Sequence, residues 1–118
     1  MDSKTTVDDL KNKVKKFCVD RDWDKFHNPK DLAIGIITES SELLEHFRFK
    51  SNEESEHIIK TKKNEISEEL SDIFYFVLRI AQKYDINLSE ELNKKLKKNS
   101  EKYPIEKSKG SNKKYNEL

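Results

Sequence analysis

Two stretches of the sequence carry apolar residues at the spacing of one helix face, and this pattern restricts the fold more than any other. In the first stretch, about residues 29–50, the apolar positions are Leu32, Ile36, Leu43 and Phe47. In the second they are Ile66, Leu70, Ile73, Val77 and Ile80. Because a helix with an apolar stripe must bury that stripe against another element, both stretches are predicted to be packed helices.

Each predicted helix also carries two carboxylates three residues apart, beside its apolar stripe. The pairs are Glu39 with Glu42 and Glu69 with Asp72. Residues three apart project from the same side of a helix, so the four carboxylates converge if the two helices pack together. Converging carboxylates repel one another and lose solvation. The sequence therefore predicts a hard divalent cation, Mg²⁺ with Mn²⁺ as its substitute, because these cations prefer oxygen ligands.

Surface ion pairing and a di-iron site fit the acidic pairs less well than a hard cation does. Chance alone yields roughly four pairs of acidic residues at this spacing in a chain with 23 acidic residues. No lysine or arginine lies three or four positions from Glu39 or Glu42, which excludes the usual helical ion pairs. A di-iron bundle would need two Glu-x-x-His motifs, and the chain has one, at Glu54 and His57. His46, four residues after Glu42, leaves a mixed site open, although polar packing is its simpler role.

The composition predicts an all-α fold, specifically a four-helix bundle-type domain. The 118 residues include only 2 Gly and 2 Pro, and helix-forming Lys, Glu and Leu dominate. Helices are predicted at residues 5–22, 29–50 and 53–84, and from an N-cap at Ser89 to the residues before Pro104. The first two turns of the third helix are weakly apolar. The predicted division is one all-α domain at residues 1–104 and a basic tail at residues 105–118.

The composition also bears on assembly and compartment. A hydrophobic fraction of 33% and a charged fraction of 40% indicate a thin core, so subunits are expected to share apolar surface in a dimer or tetramer. The single cysteine, Cys18, excludes an internal disulfide and fits a reducing cytosol. No apolar run approaches the ~20 residues that cross a bilayer, and Met1 starts no signal-peptide pattern. We therefore expect a cytoplasmic protein with no membrane partner.

Charge is distributed unevenly along the chain. The formal net charge of +1 combines −5 over residues 1–92 with +6 over residues 93–118. The basic end suits nucleic acid, an acidic surface or a phosphorylated small molecule as its ligand. Residues 105–118 are polar and are not expected to join a core, which is typical of a disordered, solubilising tail.

Aromatic residues are concentrated immediately before the predicted second helix. Trp23, Phe26 and His27 precede Asn28, a good N-cap, and Pro29, a good first helical residue. One interpretation is a plug that closes the end of the bundle, and the other is an aromatic wall for a flat ligand. Spacing alone favours the plug.

The acidic pairs and several shorter motifs together resemble one protein family. The shorter motifs are Arg21-Asp22-Trp23, Phe26-His27-x-Pro29, Lys102-Tyr103-Pro104 and Lys113-Lys114-Tyr115-x-Glu117-Leu118. With Glu39-x-x-Glu42 and Glu68-Glu69-Leu70-Ser71-Asp72, this chain resembles the all-α nucleoside triphosphate pyrophosphohydrolases of the MazG-like group, and most closely their dCTP pyrophosphatase branch. The matches run from about residue 20 to the C-terminus.

The resemblance implies a magnesium-dependent reaction of a nucleoside triphosphate with water that yields the monophosphate and pyrophosphate. It implies a homodimer or homotetramer acting on dCTP or a modified pyrimidine analogue, and not on polymeric nucleic acid. Glu39, Glu42, Glu69 and Asp72 would hold the metal and form the catalytic centre. A non-catalytic helical scaffold or a nucleotide-binding regulatory module is the alternative that fits the same residues.

The resemblance also implies a set of substrate-binding residues. Trp23 and Phe49 would stack on the base, with Phe49 standing where the branch commonly has a second tryptophan. Phe76 stands where the branch often has a tyrosine, so a hydroxyl contact is missing there. Together with residues suggested by charge and position, the candidate substrate-binding set is Trp23, His27, Phe49, Lys50, Phe76, Asn99, Lys102, Lys109, Lys113 and Tyr115. The tail lysines of this set are expected to reach phosphate oxygens.

Overall fold

The computed structural model describes all 118 residues and is helical throughout, with six α-helices and two 3-10 helices. The α-helices are α1 Val7–Asp20, α2 Pro29–Glu45, α3 Asn52–Thr61, α4 Lys63–Lys83, α5 Leu88–Lys102 and α6 Ile105–Ser108. The 3-10 helices are Asp24–Phe26 and Tyr115–Glu117. The predicted all-α class is confirmed, although the chain has more helices than the four predicted.

The chain forms two compact units, Met1–Asp85 and Ile86–Leu118. The predicted division into an all-α domain at residues 1–104 and a basic tail at residues 105–118 stays a prediction. No helix combines the length and the apolar content needed to cross a lipid bilayer.

The starts of α2 and α5 show how local capping positions the helices. Asn28 caps α2 by accepting a backbone N–H of the first turn, and Pro29 is the first helical residue, as predicted. For α5 the cap is Asn87, which makes the same kind of hydrogen bond. Ser89, the predicted cap, therefore lies inside the helix.

α2 ends earlier than predicted, at Glu45. The following residues form tight turns, with Phe49 in the left-handed region at φ 64°. Ser51 must be extended because its side chain accepts the Glu54 N–H and caps α3. Because Ser51 is extended, α2 cannot run through it, and Phe49 and Lys50 lie in the turns between α2 and α3.

The prediction of one helix over residues 53–84 is wrong, because Lys62 separates α3 from α4. Its backbone angles, φ −115° and ψ 33°, depart from helical values. The weakly apolar turns form α3, which contains no buried residue. Tertiary packing therefore does not hold α3 on the axis of α4.

α4 is the central helix of the first unit, and α1 and α2 pack against it. The buried apolar residues are Cys18, Leu32, Ile66, Leu78 and Ala81. The Cys18 thiol lies 3.1 Å from the Tyr75 hydroxyl, a contact that joins α1 to α4. Leu70, predicted to belong to the buried stripe, is half-exposed.

The second unit contains α5 and the basic tail. The tail includes α6 and a 3-10 turn, where the sequence indicated a segment without regular structure. The Tyr115 ring meets the Tyr103 ring edge to face, with centroids 6.0 Å apart. The Lys102 ammonium lies 4.8 Å from the centroid of the same Tyr115 ring. These contacts fold the tail back onto the end of α5.

Candidate metal centre

The packing of α2 against α4 brings three of the four predicted ligands together. One carboxylate oxygen from each of Glu39, Glu69 and Asp72 lies within 4.8 Å of the other two. We call these three residues the acidic trio. Two ligand atoms at about 2.1 Å from one Mg²⁺ ion lie at most about 4.2 Å apart, so small side-chain rotations suffice to close the trio on a cation.

Glu42, the fourth predicted ligand, lies outside the trio but beside it. It is exposed, and its carboxylate acts on both Glu39 and Glu69. Burial and then Glu42 are the main causes that raise the pKa of Glu39 from 4.5 to about 7. The same two causes raise the pKa of Glu69, while His46 opposes the rise. Burial, followed by the neighbouring Glu42 carboxylate, therefore disfavours the charged forms of Glu39 and Glu69.

Two carboxylate oxygens in the centre lack any hydrogen-bond partner. Glu39 Oε2 and Glu69 Oε2 are both buried and unpaired. A buried anionic oxygen is costly unless a proton or a cation compensates it. Because every ligand in the trio is an oxygen atom, the residues fit a hard divalent cation such as Mg²⁺ or Mn²⁺.

His46 adjoins the trio, where the sequence had left a mixed site open but favoured polar packing. Its Nε2 atom lies 3.7 Å from Glu69 Oε1, and the two side chains are 18% and 19% exposed. The distance is too long for a hydrogen bond but suits an electrostatic contact with the carboxylate. The signal in the sequence was the spacing from Glu42, four residues earlier on the same helix face.

Comparison with known proteins identifies the family. Residues 34–118, which include both acidic pairs, match the MazG-like family. The chain belongs to this family. The predicted resemblance to MazG-like proteins is therefore confirmed.

Individual MazG-like relatives agree with this assignment. dCTP pyrophosphatase 1 of Bos taurus is 31% identical over 118 residues, which cover 98% of this chain and 70% of the relative. The protein of the same name from Mus musculus is 31% identical over 115 residues, with 96% and 68% covered. A crystal structure of a pyrophosphatase from Archaeoglobus fulgidus has a TM-score of 0.79 and 35% identity, covering 82% of this chain and 91% of that one.

Trp23 of this MazG-like chain lies in an aromatic group next to α2. Its ring meets Phe17 at a centroid distance of 5.6 Å and His27 at 6.2 Å, both in T-shaped geometry. The predicted partner in base stacking, Phe49, is 91% exposed and has the Arg48 guanidinium 4.7 Å from its ring centroid. Trp23 is thus fixed by neighbours, whereas Phe49 presents an open ring face.

Phe76, another predicted substrate-binding residue, serves first as a packing residue. Its ring contacts Gly35 and meets the Tyr75 ring at a centroid distance of 5.0 Å. Lys50 borders a shallow surface depression together with residues of α3. The remaining predicted residues belong to the second unit, and their substrate roles stay predictions: Asn99, Lys102, Lys109, Lys113 and Tyr115.

Sequence reasoning missed Arg79, which is buried on α4 and hydrogen-bonded to Asp24 and His27. An arginine inside the otherwise apolar run at residues 73–81 was the signal that could have found it, because a charge buried without a partner is strongly unfavourable.

Proposed function

We propose that this chain is a magnesium-dependent enzyme that converts a (deoxy)nucleoside triphosphate to its monophosphate and pyrophosphate. The proposed substrate is dCTP or a modified pyrimidine analogue. The coarser class, a nucleotide pyrophosphohydrolase, is confirmed by the family match and by relatives named dCTP pyrophosphatase 1 and pyrophosphatase. The cation and the substrate are proposals supported by the acidic centre and by these names.

One observation carries the proposal, namely the two buried carboxylate oxygens that have no partner. Glu39 Oε2 and Glu69 Oε2 accept no hydrogen bond, although the chain has 24 lysines and arginines. A purely structural bundle gains nothing from such a cluster, since apolar residues of similar volume are at least as stabilising. A ligand that brings positive charge accounts for the arrangement.

The residues of the centre have distinct roles in this proposal. When bound, the divalent cation supplies charge neutralisation at the phosphate oxygens. The acidic trio would hold it, with the two unpaired oxygens as ligands. Glu42 is exposed and adjacent, so its carboxylate is free to orient the attacking water and accept a proton from it.

The base and the phosphates would be bound by residues other than the acidic trio. Trp23 and Phe49 would stack on the base, and His27 would contribute a polar contact beside Trp23. Stacking on one aromatic ring contributes roughly 1–3 kcal/mol. Asn99 and Lys102 would contact the sugar and phosphates, and the tail lysines would neutralise phosphate charge that the cation leaves uncompensated.

A second copy of the chain is proposed to cover the outer face of α2. This helix has a buried side at Leu32 and an exposed apolar side formed by Ile34, Ile37 and Leu44. A helix that is apolar on both sides is expected to be buried on both. With only five buried apolar residues in the chain, a homodimer or homotetramer would supply the missing burial.

A nucleotide panel tests the proposed activity directly. The protein is incubated with dCTP, 5-methyl-dCTP, CTP, dTTP and dATP in Mg²⁺, in Mn²⁺ and in EDTA, and products are resolved by anion-exchange chromatography. We expect monophosphate and pyrophosphate in equal amounts from a pyrimidine deoxynucleotide, and none in EDTA. Release of orthophosphate, or product formation that is unchanged in EDTA, would contradict the proposal.

A further inference from the structure

A buried arginine connects α4 to the segment that carries Trp23. Arg79 is the one buried charged residue of the chain, at 1% exposure. Its Nε donates to His27 Nδ1 at 2.9 Å, and its Nη1 donates to Gln82 Oε1 at 2.6 Å. Its Nη2 donates to the Asp24 carboxylate. Each of the three guanidinium nitrogens therefore has an acceptor, as a buried guanidinium requires.

A second cation on α4 holds the backbone of the same segment. Lys83, one turn after Arg79, donates from Nζ to the Asp24 carbonyl at 2.8 Å and also to the His27 carbonyl. We call Arg79 and Lys83 the α4 clamp. The clamp binds the side chain and the carbonyl of both Asp24 and His27, which are the first residue of the 3-10 turn and the residue after its end.

Trp23 is positioned through its neighbours Asp24 and His27, the two residues that the α4 clamp holds. It immediately precedes Asp24, and its ring contacts His27, the acceptor of the Arg79 Nε hydrogen bond. Because His27 Nδ1 accepts a hydrogen bond, the proton of the neutral imidazole lies on Nε2. Burial first, and then Arg79 and Lys83, lower the pKa of His27, which favours this neutral form.

We propose that Arg79 is a positioning residue that holds Trp23 and the Nε2–H donor of His27 in their binding arrangement for the nucleotide base. This inference rests on the proposed function. A segment that is ordered before binding does not lose conformational entropy when the ligand binds. Arg79 lies seven residues after Asp72, about 10 Å along the helix axis, so it should influence base binding more than the metal centre.

The first test uses the single tryptophan of the chain, Trp23, whose fluorescence reports on this segment alone. Acrylamide quenching is measured for the wild-type protein and for Arg79→Met and Asp24→Ala. The control is Lys16→Met, which removes the exposed ion pair with Asp20 at 2.7 Å. We expect both clamp variants to raise the quenching constant about two-fold, because the segment opens locally, and the control to leave it unchanged.

The second test separates binding from turnover with dCTP and Mg²⁺. Arg79→Met and Asp24→Ala should raise KM about ten-fold while kcat changes less than about three-fold. Asp24→Asn, which keeps an acceptor oxygen for the guanidinium, should remain near wild type. If Arg79 only stabilised the fold, the variants would lose kcat and overall stability together, and Asp24→Asn would behave like Asp24→Ala.

The positioning role of Arg79 and the proposed function can each be contradicted independently of the other. If Arg79→Met does not fold, Asp24→Ala carries the test, because the Asp24 side chain is 58% exposed, so its removal opens no cavity in the core and lets water reach Arg79 Nη2. Folded clamp variants with the quenching and KM of the Lys16→Met control would overturn the positioning role. If the wild-type protein releases no pyrophosphate, the proposed function fails, and quenching alone still decides whether the clamp orders Trp23.

Discussion

Gly35 lies against the ring of Phe76 so closely that a Cβ atom at position 35 would fall 2.6 Å from ring atom Cε1. The contact is one turn before Glu39 on α2 and one turn after Asp72 on α4. The distance between the two helices at this point therefore controls the distance between their carboxylates. A glycine fits here because a Cβ atom would force the Phe76 ring, or the two helices, to shift.

Gly35→Ala is expected to destabilise the fold and to weaken cation binding together. Overpacking of this kind costs about 1–3 kcal/mol, which urea denaturation measures, and titration calorimetry with Mn²⁺ measures the cation affinity. Phe76→Leu in the same chain should relieve the clash and recover part of both losses. If the double variant is no better than Gly35→Ala alone, the ring contact does not determine the helix spacing.

Glu69→Gln is expected to lower the rate of pyrophosphate release at least ~10²-fold, because it removes a charged cation ligand with little change in volume. Glu68→Gln, its exposed neighbour on α4, is the matched control and should retain wild-type turnover. Both rates are measured at saturating Mg²⁺. Equal rates for the two variants would show that Glu69 has no part in the reaction.

The metal-free protein is expected to lose stability as pH rises from about 4.5 to above 7. The pKa of Glu39 is raised from 4.5 to about 7, so in this range the folded chain binds more protons than the unfolded chain. Thermal unfolding in EDTA from pH 5 to 8 measures the effect, and Glu39→Gln should remove most of it.

The lowered pKa of His27 acts in the opposite direction, with stability lost as pH falls below 6.5. The difference between wild type and Glu39→Gln at each pH isolates the carboxylate, and a constant difference would contradict the prediction.

His46→Leu is expected to weaken Mn²⁺ binding by about ten-fold, because residues that orient metal ligands typically contribute ten- to hundred-fold in affinity. His46→Gln keeps an N–H group near Glu69 Oε1 and should recover most of the loss. His57→Leu changes an exposed histidine on α3 and serves as the control. Calorimetry gives the three affinities without any need for turnover, and equal values would leave His46 as a packing residue.

Deletion of residues 106–118 is expected to raise KM for the triphosphate and to weaken its dependence on ionic strength. The helices of the first unit and the cation affinity should persist. A variant that keeps residues 106–118 but has glutamine at Lys109, Lys113 and Lys114 shows whether the charge of the tail, rather than its presence, determines KM. An unchanged KM across ionic strengths in both variants would leave the tail without a substrate role.

The sequence allowed the prediction of features that depend on periodicity within one helix. The apolar stripes predicted α2 and α4, and the three-residue spacing predicted that Glu39 would meet Glu69 and Asp72. The stripes follow from spacing within one helix, and the meeting of the carboxylates needed only the further assumption that the two stripes pack against each other.

Features that depend on competition between elements were not predictable in the same way. The end of α2 depends on the cap at Ser51, and the break at Lys62 depends on the absence of packing around α3. The half-exposure of Leu70 depends on which part of a stripe another helix covers. Arg79 needed the acceptors Asp24 and His27, more than 50 residues earlier in the chain, to explain its burial.

The acidic trio comes from two helices of a single chain, and this has a consequence for any assembly of several copies. Each copy would contain a complete set of carboxylate ligands, irrespective of how many neighbours it has. A copy damaged at Glu69 would therefore lose its own cation while the intact copies beside it kept theirs. Such a defect should stay confined to the damaged copies of a mixed oligomer, with cation capacity falling in proportion to their number.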